Sequence, residues 1–202
     1  MTRTPLRPAP GARTGRPVYS RSTLLTCAID VFLEHGYEGT SMGQLADRLG
    51  ITKSSIYHHV PGKAELFRMV LDRAAATLRT LTDDAAGSGH PAAGQLVHIT
   101  RAILGLTPAE LGPIELLLST RDNQPEVKDA LSGRHMFETR VTDLIRRALA
   151  DRDTRDEITA EVRARLLLDI LRSLITQCRA GALPQEVGTG AGLADLVVCC
   201  AR

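Results

Sequence analysis

Residues 40–67 constrain the fold of this chain most strongly, because they contain two short helical patterns separated by a glycine. From Met42 to Leu49, apolar residues recur at i, i+3, i+4 and i+7, which predicts an amphipathic helix. Gly50 follows and can adopt the left-handed conformation of a sharp turn. The second pattern has one aliphatic residue, Ile56, among polar side chains. A helix so short and polar is unstable alone, so its neighbours must hold it.

Signals at the helix ends support this interpretation. Ser41 and Gln44 match a capping box, in which each residue bonds the backbone of the other. Thr52 is the expected N-cap of the second helix of the pair. Ile51 and Ile56 match a hydrophobic staple, which fixes the angle at which the chain enters that helix. Together these signals predict a helix–turn–helix unit.

The second helix of the pair is suited to a DNA major groove. No Asp or Glu occurs between Gly50 and Lys63, and from Lys53 to His59 every side chain except that of Ile56 can form a hydrogen bond. Lys53 can supply a charge or a base-edge donor, while serine, tyrosine and histidine can bond bases or phosphate oxygens. The alternative is an ordinary polar surface helix.

This segment resembles the DNA-binding domain of the TetR/AcrR (tetracycline-repressor) family of bacterial transcription regulators. The resemblance rests on His35-Gly36-Tyr37, on Leu49-Gly50-Ile51 and on the run IYHHVPGKAEL that begins at Ile56. It is close over the N-terminal segment and covers the remaining two-thirds of the chain only in helix number and length.

The resemblance implies a set of DNA contacts. Thr40 and Lys63 would bind phosphates, as would Tyr57 and His59 at the end of the recognition helix. The residues expected at or near DNA are Thr40, Thr52, Lys53, Ser54, Ser55, Tyr57, His58, His59 and Lys63. Gly43 would let the backbone of the preceding helix approach DNA closely. Gly62 replaces the usual polar cap, so the fourth helix is expected to start less firmly.

The expected fold is all-α, with a three-helix DNA-binding domain followed by a six-helix ligand-binding and dimerisation domain. We divide the chain into a disordered basic arm (1–18), the helix–turn–helix domain (19–65) and the larger domain (66–202). The arm contains four Pro and two Gly, and its Arg13 and Arg16 could reach the minor groove. Further helices are expected at 20–35, 63–82, 93–105, 108–120, 124–150 and 156–181, with a ninth after Pro184.

A homodimer is expected because two recognition helices about 34–36 Å apart can read a palindrome. In the resembled family, the last two helices of each copy pair as a four-helix bundle. The candidate dimerisation residues are Leu167, Leu171, Leu174, Cys178, Leu193, Leu196 and Val197. Alternatively, the wide apolar stripe of helix eight crosses the centre of the monomer.

The resemblance also implies a small-molecule effector bound within helices four to seven. Polar residues that interrupt apolar faces are candidates for its site: His98, Arg101, His135, Thr139 and Gln177. Because aromatic residues make up 3% of the chain, an aliphatic, acyl or polycyclic ligand is favoured over a flat cation in an aromatic cage. The expected partners are thus a double-stranded DNA operator, an effector and a second copy of the chain.

Other functional classes receive little support. The sequence contains no signal-peptide pattern and no membrane-length apolar run, so no membrane partner is expected. The four cysteines form no CxxC pair, which favours a reduced, cytoplasmic protein without a metal site, although Cys199 and Cys200 could act as a redox sensor.

Two alternatives to a ligand-responsive repressor remain. One is a DNA-binding protein that responds to no ligand. The other is an enzyme built on His98, His135 and Cys178, but the chain contains no nucleophile motif, phosphate loop or dinucleotide fingerprint. No catalytic residue and no cofactor are therefore expected.

Overall fold

The computed structural model describes residues 20–121, 127–150 and 159–182, and this part of the chain is helical without strands. The all-α prediction is confirmed. The helices are α1 (Arg21–Gly39), α2 (Met42–Leu49), α3 (Lys53–Tyr57), α4 (Lys63–Gly87), α5 (Ala92–Leu104), α6 (Pro108–Ser119), α7 (Lys128–Ala150) and α8 (Ala160–Arg179). Several predictions fall outside the described residues: the basic arm with Arg13 and Arg16, the predicted ninth helix with Leu193, Leu196 and Val197, and the redox role of Cys199 and Cys200.

Helices α1 to α3 form the N-terminal unit. Helix α1 buries one apolar face, whose residues run from Leu24 to Phe32. Gly36 has φ of 70°, which interrupts the helix where the sequence predicted its end. Helical residues nevertheless continue beyond this kink to Gly39. Thr40 then ends α1, its N–H donating to the Tyr37 carbonyl at 3.3 Å.

Helix α4 passes from the N-terminal unit into the body, where it packs against α5, α6 and α7. The prediction that it ends near residue 82 was wrong, because the helix continues to Gly87. Ala85 is completely buried, so this last turn is anchored to the core through that residue. The chain turns at Gly89, whose φ of 71° favours glycine. Where α4 crosses α7, a Cβ atom on Gly133 would lie 2.8 Å from Ala75 Cβ, so the glycine permits the close approach.

Helix α8 directs most of its leucines into the protomer. Leu167, Leu171 and Leu174 are buried, and Cys178 is partly buried against the same core. This placement corresponds to the alternative in which helix eight crosses the monomer. The outward face carries Val162 and Leu166, which are 50% and 51% exposed.

The N-terminal unit also contacts the body through α1. A Cβ atom on Gly112 of α6 would lie 2.8 Å from Ile29 Cγ2, so these two helices touch at a glycine. Beside this contact, Arg179 of α8 donates to Glu115 Oε2 at 2.6 Å and to Asp30 Oδ1 at 3.1 Å. One guanidinium therefore joins α1, α6 and α8.

Among the described residues, no single helix is both long and apolar enough to cross a membrane. The α5–α6 pair meets those criteria only jointly, across a bend of 116°.

We expect Arg179→Ala to lower the free energy of unfolding by about 1–3 kcal/mol, because it leaves the mostly buried Glu115 carboxylate without its cation. Urea denaturation at fixed protein concentration measures this. Arg146→Ala is the matched control, because its pair with Glu161 is exposed and such pairs contribute about 0–1 kcal/mol. Equal losses in the two variants would contradict the importance of the Arg179 contact.

Candidate nucleic-acid interface

The turn between α2 and α3 is built as the sequence predicted. Ser41 N donates to Gln44 Oε1 at 2.6 Å, and Gln44 N donates to Ser41 Oγ at 3.2 Å, which completes the capping box. Gly50 has φ of 64° and ψ of 32°, the left-handed conformation required here. Thr52 caps α3, its Oγ1 accepting from Ser55 N at 3.2 Å.

Two apolar side chains fasten α3 and the segment after it. Ile56 is 0% exposed, and Val60 is also buried in the core cluster. Ile51, the other half of the predicted staple, is partly buried against that cluster. Since α3 contains only five residues, this burial and not its own backbone hydrogen bonding holds the helix in place.

The side of α3 opposite Ile56 is open and polar. Tyr57 is 51% exposed, and the other exposed residues are Thr52, Lys53, Ser54, His58 and His59. Ser55 differs from these because it is half-buried, and its hydroxyl lies 2.9 Å from Thr52 Oγ1. The exposed side therefore offers hydrogen-bonding groups without a carboxylate, the composition that a polyanion requires.

Thr40 has a different environment from the one expected of a phosphate ligand. Its side chain is 3% exposed, and Oγ1 donates to the Gly36 carbonyl at 2.7 Å. The hydroxyl therefore stabilises the C-terminal end of α1. A phosphate contact through this hydroxyl would require it to leave that bond.

Lys63 at the start of α4 already has a partner. Its Nζ donates to the Tyr37 carbonyl at 2.8 Å and lies 4.2 Å from the centre of the Tyr37 ring. The Tyr37 and Phe67 ring centroids are 4.7 Å apart, so α1 and α4 meet at this cluster. Tyr37 was not among the predicted site residues, and its carbonyl contact has no sequence signature. As expected, the Gly62 cap supplies no side-chain hydrogen bond to α4.

A charged pair ties α1 to α2 beside this unit. Arg48 Nη2 donates to Glu34 Oε1 at 2.8 Å, and the hydrogen bond from Arg48 lowers the pKa of the exposed Glu34 carboxyl below its ordinary value. Arg48 is thereby neutralised locally, and Lys53 is the cation on the exposed side of α3.

The five residues predicted for an effector site do not come together. His98 and Arg101 border a depression of about 490 Å³ on α5, together with His90. His135 and Thr139 are exposed and border a groove of about 860 Å³ along α7, next to Met136. Gln177 is exposed on α8, where its amide nitrogen lies 3.2 Å from Ser173 Oγ.

The components suggested for an enzyme are also separated. His98 and His135 border different depressions, on α5 and along α7, and Cys178 borders neither of them. Burial raises the pKa of the Cys178 thiol above its ordinary value, which disfavours the thiolate that a nucleophile requires.

Helix α2 is capped, Gly50 makes the left-handed turn, and the outer side of α3 carries no acid. This arrangement is that of a helix–turn–helix regulator that binds DNA. Comparison with known proteins agrees. The model of the family described as "Bacterial regulatory proteins, tetR family" matches residues 24–70. A crystal structure of a TetR-family transcriptional regulator from Streptomyces coelicolor A3 is 37% identical, covering 89% of this chain and 88% of that chain, with a TM-score of 0.71. The chain therefore belongs to the TetR family of transcriptional regulators.

Curated relatives include both an activator and a repressor of transcription. The transcriptional activator FasR of Mycolicibacterium smegmatis is 37% identical over 89 residues, which cover 39% of this chain and 41% of FasR. The transcriptional repressor ComR of Escherichia coli is 27% identical over 168 residues, covering 80% of this chain and 79% of ComR.

Proposed function

We propose that this protein is a dimeric repressor that binds a palindromic operator and releases it when a small-molecule inducer binds. The observation that carries the proposal is the exposed side of α3, which is free of acid and polar throughout. Because Ile56 anchors the inner side of α3 in the core, the outer side can enter a major groove while the helix stays packed on the protein.

In this proposal, the DNA contacts fall into two groups, one at the bases and the adjacent backbone and the other at phosphates. Lys53, Ser54 and His58 face base edges or the adjacent backbone, while Tyr57 and His59 bond phosphates. Lys63 exchanges the Tyr37 carbonyl for a phosphate oxygen. That exchange is favourable because a charge-assisted bond to an anion is stronger than one to a neutral carbonyl.

We propose that the outward face of α8 contributes to the dimer. Exposed Val162 and Leu166 lie one helical turn apart and form an apolar stripe that contact with a second copy would bury. Dimerisation places two recognition helices in successive major grooves, which extends the short contact of a single α3.

The inducer acts, in this proposal, by a population shift. Helix α4 belongs to both parts of the protein, since Phe67 packs with Phe32 of α1 at a centroid distance of 4.8 Å. A ligand that prefers another arrangement of the body would move α4 and alter the spacing of the two recognition helices. A coupling of about 1–3 kcal/mol is typical of such regulation.

The effector is proposed to be aliphatic, acyl or polycyclic and to bind within the body. The Arg179 contact with Asp30 gives the body a second route to α1 besides α4. Repression is proposed as the direction of control because the repressor ComR aligns with 80% of this chain, whereas the activator FasR aligns with 39%. In vitro transcription from the gene's own promoter tests this direction: protein that raises transcript levels would identify an activator.

Titration of labelled duplex from the gene's own upstream region tests DNA binding. We expect Lys53→Ala, Tyr57→Phe and Lys63→Ala each to weaken binding, because each removes a hydrogen bond or charge that meets DNA. Loss of the Lys63 phosphate contact should also reduce the slope of log K against log salt by about 1.

Arg79→Ala is the matched control for this titration, because it removes an exposed positive charge from α4 far along the body. It should leave the affinity and the salt slope nearly unchanged. If all three α3 and α4 variants bind as tightly as the unmodified protein, α3 is not the recognition helix.

We expect Leu166→Arg to shift the protein from dimer to monomer, since a charge would then be buried in the interface. Sedimentation equilibrium measures the shift. Thr80→Arg adds the same charge at an exposed position of α4 and should leave the dimer intact. A Leu166→Arg protein that dimerises as tightly as the Thr80→Arg protein would place the interface elsewhere.

A further inference from the structure

Gly43 is a glycine whose backbone does not require one. It is the second residue of α2, and its φ is not in the positive range that favours glycine. Glycine within a helix is less favourable than alanine because it loses more backbone freedom on folding. The space beside Gly43 therefore gives the reason for a glycine at this position.

The Lys53 side chain occupies that space. A Cβ atom on Gly43 would lie 3.0 Å from Lys53 Cε and 3.2 Å from Lys53 Nζ, closer than ordinary van der Waals contact. The end of the lysine stem therefore lies directly against the backbone of α2. An alanine at position 43 would displace it, and displacement is easy because the end of a lysine is flexible.

The ammonium group lies close to α2 and is not neutralised there. Among the described residues, Lys53 forms no hydrogen bond or ion pair. The first turn of a helix carries partial positive charge, so α2 itself does not stabilise a cation at this place. The group therefore remains available to an anion that approaches both helices.

We propose that Gly43 is a positioning residue for DNA recognition, because its missing side chain lets the Lys53 stem lie across the first turn of α2. The proposal rests on the proposed DNA contact of Lys53. A free lysine has many rotamers, and seating its stem reduces the conformational entropy lost when the ammonium binds DNA. This account differs from the sequence expectation for Gly43, in which the α2 backbone itself approaches DNA.

The position of the Lys53 stem against α2 can be measured without DNA, because the chain contains only three lysines, Lys53, Lys63 and Lys128. In protein labelled with ¹³C at lysine Cε, Gly43→Ala should move the Lys53 signal and leave the other two signals in place. An unmoved Lys53 signal would overturn the proposal whether or not the protein binds DNA.

A double-mutant cycle on labelled upstream duplex then tests the role in recognition. Gly43→Ala should weaken binding by about three- to tenfold, within the range of coupling between contacting residues. In the Lys53→Ala background, the same change should alter affinity by less than about twofold, because no stem remains to be displaced. The thermal midpoint of Gly43→Ala should be unchanged or higher, since alanine favours the helix.

Gly94→Ala is the matched control, since Gly94 also lies in the first turn of a helix and its added Cβ would meet His90 Cβ at 3.0 Å. It should leave DNA affinity unchanged. Equal weakening by Gly43→Ala in both Lys53 backgrounds would overturn the proposal in favour of direct backbone approach. If Lys53→Ala alone leaves binding intact while Lys63→Ala weakens it, the Lys53 contact and the role of Gly43 are both excluded, but DNA binding by this unit is not.

Discussion

Burial of Ile56 is the interaction on which the DNA-binding unit depends. A five-residue helix cannot sustain itself in water, and α3 is stable because this side chain and Val60 are buried in the core while α3 packs against α2. Since all of the apolar anchoring lies behind the helix, its outer side is free to be polar throughout. The same packing that creates the helix therefore also creates the polar surface that we propose faces DNA.

The connection between this unit and the body is both covalent and non-covalent. Helix α4 follows α3 in the chain and packs against α5, α6 and α7 of the body, while α1 touches α6 at Gly112 and α8 through Arg179. At the α1–α6 contact, the Ile29 side chain lies against Gly112 of α6. We propose that this contact and the Arg179 contact give a ligand response a route to α1 in addition to the route along α4.

The helix ends and the turn of the N-terminal unit could be predicted from local sequence signals. The contacts of Thr40 and Lys63, the role of α8 and the end of α4 could not, because they depend on packing between distant residues. The capping box, the Gly50 turn and the Thr52 cap depend on residues a few positions apart, so they could be read from sequence. Thr40 and Lys63 are engaged by carbonyl groups of α1, and no sequence pattern specifies a carbonyl partner. Helix α8 is apolar around a wide arc, so its pattern could not distinguish core from interface. The predicted end of α4 at residue 82 was wrong because tertiary burial of Ala85 extends the helix by more than one turn, to Gly87.

The central claim is that the outer side of α3 meets DNA. Amide chemical-shift mapping of ¹⁵N-labelled protein with the upstream duplex tests it most directly, because every region of the chain reports at once. The account predicts that the largest shifts fall between Thr52 and Lys63, with smaller ones at the start of α2. Shifts concentrated instead on α5 or on the outer face of α7, with α3 unaffected, would contradict it.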